Sequence, residues 1–133
     1  MPPPSPAASP DAAIARWIDV FNGNDADALT ALYTSDASLH GTSRPALYRG
    51  HGAIRAYFAP LPGSGTRVAP GERHVAMEGD ALATGVGFYD FTVLRDGQPV
   101  PSPARFTFVL RKTDGDWLIT HHHSSSLPPA PAG

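Results

Sequence analysis

Three Gly/Asp pairs, Gly79-Asp80, Asp96-Gly97 and Asp114-Gly115, divide the second half of the chain. Gly and Asp reach the positive-φ conformations that tight hairpin turns need. The segments between them are rich in β-branched and aromatic residues, so the reading is strand-turn-strand throughout. The strands fall at about Arg73–Glu78, Ala81–Leu94, Ala104–Thr113 and Asp116–Ser125.

The first half keeps a different period. Ser9 can cap a helix with Pro10 at its first position and Asp11 in its first turn. Ile14, Trp17, Ile18 and Phe21 then recur at helical spacing, and Asn22-Gly23-Asn24 ends the run. Asp25 can cap a short second helix carrying Leu29, Leu32 and Tyr33. Extended pieces follow at about Ala37–His40 and Pro45–Tyr48. Gly50–Ala59 reads as a third helix with Ile54, Tyr57 and Phe58 inward, stopped by Pro60. Helices first and an antiparallel meander after them make an α+β fold, not alternating α/β. A sheet wrapped around helices needs kinks, which Gly85 and Gly87 can supply in the longest strand.

At 133 residues and 41% apolar content the chain suits one domain with one core. Its boundaries are expected at residues 10–126, flanked by a disordered Pro-rich tail over 1–9 and a Pro/Ala tail over 127–133. Such tails are ordered only where something holds them. The chain has no cysteine, which excludes disulfides and thiolate chemistry and fits a cytoplasmic location. A net charge of −2 without a basic stripe gives nucleic acid no purchase. No apolar run is long enough to span a membrane, and the N-terminus lacks the pattern of a signal peptide. Neither a phosphate-binding glycine loop nor a Gly-x-Ser-x-Gly elbow occurs, so no nucleotide cofactor is expected.

Hairpin arithmetic then sorts the polar residues. A two-residue turn at Asp114-Gly115 pairs Arg111 with Leu118, Thr107 with His122 and Arg105 with Ser124. The Asp96-Gly97 turn sets Arg105 opposite Phe88 and diagonal to Asp90. One face would hold Asp90, Arg105, His122 and Ser124. The other would hold Phe106, Phe108, Leu110, Trp117, Ile119, His121 and His123. A single bulge would exchange the faces beyond it. The polar set has two readings. In the first it is a pocket floor: Arg105 holds an anionic or carbonyl oxygen, His122 moves a proton, and Asp90 orients or charge-balances one of them, so that His122 and Asp90 are the catalytic candidates. In the second, Asp90 and Arg105 are a cross-strand ion pair and His122 is merely hydrogen-bonded. Tyr57, Tyr89, Trp17 and Phe58 are pocket walls or plain core. His40 lines the mouth or caps a loop, and Arg55 points to the pocket or to solvent. His121 and His123 lack a third ligand among their expected neighbours, so no metal site is expected.

Four stretches carry a resemblance: Ile18-Asp-Val-Phe-Asn-Gly-Asn-Asp25, Tyr48-Arg-Gly-His-Gly-Ala-Ile-Arg-Ala-Tyr-Phe58, Arg105-Phe-Thr-Phe-Val-Leu-Arg111 and Asp114-Gly-Asp-Trp-Leu-Ile-Thr-His-His-His-Ser-Ser125. With them the chain resembles the NTF2-like superfamily. Within it, the chain is most similar to bacterial proteins like the association (hub) domain of calcium/calmodulin-dependent protein kinase II, which overlap the SgcJ/EcaC, DUF4440 and SnoaL-like families. The resemblance implies a conical pocket between helices and a strongly curved antiparallel sheet, and a homodimer or higher homo-oligomer formed through that sheet. Where hub domains carry a basic residue after the final His, this chain has Ser124. The superfamily spans isomerases, dehydratases, polyketide cyclases, ligand binders and assembly domains. Three functions therefore stand: binding of a small anionic or carbonyl-bearing molecule, assembly like the kinase hub, or isomerase, cyclase or oxidoreductase chemistry on a polyketide-like substrate.

Overall fold

The structure, a computed structural model, describes residues 5–131; the outermost residues of both expected tails lie outside the described residues. Three helices, α1 (Pro10–Asn22), α2 (Ala26–Thr30) and α3 (Gly50–Phe58), pack against a six-stranded sheet. The strands are β1 (Tyr33–His40), β2 (Leu47–Arg49), β3 (Arg67–Met77), β4 (Leu82–Arg95), β5 (Gln98–Thr113) and β6 (Asp116–Ser126), in the order β2-β1-β6-β5-β4-β3. The sheet is antiparallel except where β1 runs parallel to β6. None of the helices is long and apolar enough to cross a membrane.

The caps expected of α1 and α2 form: Ser9 Oγ accepts from the Ala12 amide and Asp25 Oδ1 from the Ala28 amide. Ile14, Trp17, Ile18 and Phe21 are all buried. The second helix is shorter than its apolar spacing predicts. It ends at Thr30, and the Leu32 carbonyl already accepts from the Ile119 amide, so pairing with β6 overrides helical continuation and makes Tyr33 the first residue of β1.

Besides β1, strands β3 and β5 begin earlier than expected, and proline is the reason these two read short. β5 begins at Gln98 and includes Pro99, Pro101 and Pro103. The Pro103 carbonyl accepts from the Leu127 amide, so at these odd positions the backbone polar groups point away from β4. The prolines thus cost no bond with β4, and beyond Leu127 they occupy a free edge, where a missing donor is tolerated. β3 likewise starts at Arg67, with its register shifting between Pro70 and Arg73. A Cβ on Gly87 would come within 2.3 Å of the Glu72 carbonyl at that irregularity, and one on Gly85 within 2.5 Å of the Ile14 side chain. Both glycines of β4 allow close approach.

Part of the N-terminal segment expected as a tail is held. Ala7 is buried, its amide donates to Asp116 Oδ1, and its carbonyl accepts from the Trp117 amide. Arg16 bridges Asp116 and the Ser5 carbonyl at 2.9 and 2.8 Å.

Candidate functional site

The two hairpin turns set the registers they predict. Asp96, Gly97, Asp114 and Gly115 all have positive φ, Phe88 pairs with Arg105, and Arg111 pairs with Leu118. The prediction fails two residues further along β6. Leu110 pairs with Ile119, but Val109 pairs with His121, which leaves Thr120 as an extra residue in a bulge. Every side chain after it changes face. His122 and Ser124 therefore turn inward beside Phe108 and Phe106, and His121 and His123 turn outward beside Val109 and Thr107. This separates the expected polar set. Arg105 lies exposed on the outer face, its Nε donating to Ser125 Oγ at 3.3 Å. Asp90 is exposed on that same face, and no ion pair joins it to Arg105 among the described residues. His40 also lies outside, its ring 5.0 Å from His123 and 5.9 Å from His121, and not at the pocket mouth. Among the described residues no group of three or more His, Asp or Glu is placed to hold a metal. Arg55 is exposed and paired with Asp27.

What His122 meets inside is a line of hydroxyls. Trp17 Nε1 donates to the Tyr33 hydroxyl at 2.9 Å, and that hydroxyl lies 2.8 Å from His122 Nδ1. His122 Nε2 lies 3.0 Å from the Tyr89 hydroxyl, which donates to Ser124 Oγ at 2.6 Å. Ser124 Oγ in turn bonds Thr42 Oγ1. The Tyr89 hydroxyl gives its one hydrogen to Ser124, so toward His122 Nε2 it can only accept. A neutral His122 is then the Nε2–H tautomer, and its Nδ1 accepts from the Tyr33 hydroxyl, which itself accepts from the Trp17 indole. One bond joins the Ser124 and Thr42 hydroxyls, with either able to donate, so the pair at the end of the line keeps one hydroxyl hydrogen over.

Trp17, Tyr33, Tyr89 and His122 are each 1% exposed. Burial, with smaller contributions from His121 and His123, holds the His122 pKa down to about 3. Burial likewise pushes the phenols of Tyr33 and Tyr89 above the usual tyrosine range. The whole line is neutral at physiological pH. The His122 ring also stacks on Phe108 at 4.1 Å, which holds its plane in place.

The line runs along the inner wall of a cavity of about 570 Å³. Its deep lining is Trp17, Phe21, Leu39, Phe58, Tyr89 and Phe91, with His122, Ser124 and Thr42 as the polar stripe. Tyr57 forms the outer wall: its hydroxyl bonds Ser43 Oγ at 3.1 Å and accepts from the Ser43 amide at 3.3 Å, tying α3 to the loop after β1. That loop passes so close that a Cβ on Gly41 would fall 2.2 Å from the Tyr57 ring. Of the expected pocket residues the cavity thus gathers Tyr57, Tyr89, His122 and Ser124, and leaves out Arg105, Asp90 and His40. Sequence reasoning missed Tyr33 and Thr42 as site residues. Tyr33 follows a helical spacing in the sequence, and Thr42 sits in a loop that carries no periodic signal.

The chain is thus an α+β cone with a polar stripe set in an aromatic cavity. The family model of the SnoaL-like domain matches residues 11–131, and the chain belongs to that family. Among solved structures it is similar to a protein from Xanthomonas campestris described as a calcium/calmodulin-dependent protein kinase II association domain. The two are 28% identical with a TM-score of 0.84, over 98% of this chain and 99% of the other. An NTF2-like protein with a cystatin-like fold from Novosphingobium aromaticivorans shares the fold at 21% identity and a TM-score of 0.74, over 89% and 79% of the two chains. So does the CamKII hub homology domain of Chlamydamonas reinhardtii, at 22% identity and 0.75, over 92% and 98%. No curated protein matches significantly.

Proposed function

We propose that the cavity binds a small, largely apolar molecule through a hydrogen-bond acceptor, such as a carbonyl oxygen, placed against the Ser124–Thr42 hydroxyl pair. The single supporting observation is the hydrogen-bond line that runs from Trp17 to that pair. The other hydrogens in the line are used, so what it offers to the cavity is the one hydroxyl hydrogen left on Ser124 and Thr42, and the matching ligand group is an acceptor. The same line argues for binding over proton transfer. Both His122 nitrogens are engaged and the ring resists protonation, so it is a poor base at neutral pH. The test uses a matched pair of aromatic ligands, acetylnaphthalene and ethylnaphthalene, which differ by the carbonyl. The double variant Thr42→Val, Ser124→Ala removes both hydroxyls with little change of shape. It should weaken the ketone by about three- to tenfold, the worth of one hydrogen bond, and leave the hydrocarbon unchanged. Equal effects on both, or binding of neither, would discard the proposal.

A second reading concerns the outer face and complements the first. Val86 and Phe88 are 45% and 44% exposed in the middle of the sheet, where a lone domain gains nothing from apolar side chains. With Arg105, Thr107 and His123 they line a shallow hollow. The face suits a second copy of this chain, and the similarity to association and hub domains supports the same reading.

A further inference from the structure

We infer that Arg44 and Arg95 form an anion-holding rim on the cavity, so that its ligand is an amphipathic organic anion with an aromatic or alicyclic body. The inference rests on the cavity being a ligand site and adds the charge of the ligand. Arg44 comes from the loop between β1 and β2 and Arg95 from the end of β4, and both line the cavity. No Asp or Glu lines it with them, Asp96 included.

Of the other seven arginines, Arg16, Arg55, Arg73 and Arg111 are paired with Asp116, Asp27, Asp11 and Asp36. Arg67 and Arg105 make only neutral hydrogen bonds, and Arg49, without a partner among the described residues, is not part of the cavity lining. Among the described residues Arg44 and Arg95 have neither an ion pair nor a side-chain hydrogen bond. Two guanidinium groups without counter-charge at the mouth of an apolar cleft focus a positive field into it. Each offers the planar fork that matches a carboxylate or sulfonate. Both are anchored from behind. The Tyr57 hydroxyl holds the Arg44 loop through Ser43, and pairing with Gln98 closes the hairpin that carries Arg95. Ser102 lines the same cavity, and its hydroxyl, without a partner among the described residues, adds a neutral donor. An anionic head at this rim leaves the body of the molecule against Phe21, Tyr89 and Phe91.

Two fluorescent probes with one shared body decide the matter: anilinonaphthalene sulfonate and the uncharged N-phenylnaphthylamine. The full chain should bind the sulfonate roughly tenfold more tightly, with the advantage shrinking as salt is raised. Arg44→Gln with Arg95→Gln should erase that advantage and leave the Kd of the neutral probe unchanged. Arg105→Gln, on the outer face, should alter neither. Equal binding of the two probes by the unsubstituted chain would overturn the rim while leaving the cavity reading intact. So would a double variant that weakens both probes alike. Failure of both probes to bind would overturn the two readings together.

Discussion

At the scale of the residue, His122 shows how position decides chemistry. A histidine is ordinarily the side chain best suited to proton transfer near neutral pH. Here burial lowers its pKa to about 3 and hydrogen bonds from Tyr33 and to Tyr89 occupy both nitrogens. The folded state therefore keeps the ring neutral while the unfolded chain takes up a proton below its ordinary pKa of about 6.5. Unfolding binds more protons, so stability is full above about pH 6.5 and is lost as pH falls toward the folded pKa. Between about pH 7 and pH 5 the loss from His122 alone should be about 2 kcal/mol, at about 1.4 kcal/mol per pH unit below the unfolded pKa. Asp11, held low by Arg73, Asp27, by Arg55, and Asp36, by Thr34 and then Arg111, contribute only in the carboxylate range below that window. Urea denaturation across the window measures it. His122→Gln should be less stable at neutral pH, because it leaves part of the buried hydroxyl line unpaired, and should show a flatter pH dependence. Parallel slopes for the two proteins would refute the buried neutral state.

At the scale of the element, the sequence is legible where local chemistry dominates and opaque where a neighbour decides. The α1 cap, its apolar stripe and both Asp-Gly turns depend on residues within one turn of each other, and they form as read. The β4–β5 register follows from its turn alone, down to the pairing of Arg105 with Phe88. Three features resist local reading. Pro99, Pro101 and Pro103 look like strand breakers, yet at alternate positions they spare every bond with β4. Tyr33 belongs to a helical spacing until β6 captures the chain. The bulge at Thr120 has no signature of its own, for neither Thr120 nor its neighbours have positive φ. It is paid for by what lies beyond: it turns His122 toward Tyr33 and Tyr89 and sends His123 to the surface. One inserted residue thus decides which of three consecutive histidines reaches the cavity.

At the scale of the whole molecule, the sheet separates two surfaces of different character. Its inner face closes an aromatic cavity, and its outer face shows Val86, Phe88, Arg105 and His123 to the surroundings. Burying the outer face against a second copy would leave the cavity mouth free, because Arg44, Tyr57 and Arg95 are not part of the outer hollow. Light scattering at micromolar concentration should therefore give at least a dimer for the unsubstituted chain. Phe88→Glu should shift it to monomer without loss of probe binding; a monomeric starting protein would contradict this use of the sheet. The inner face depends, finally, on a neutral hydrogen-bond line through His122 that ends in a hydroxyl donor at the cavity. Nitrogen NMR of selectively labelled histidine, followed through the pH range, reads both its polarity and its charge. His122 should show the Nε2–H tautomer and no titration above about pH 4, given a pKa near 3. An Nδ1–H tautomer, or protonation near the ordinary histidine pKa, would contradict it.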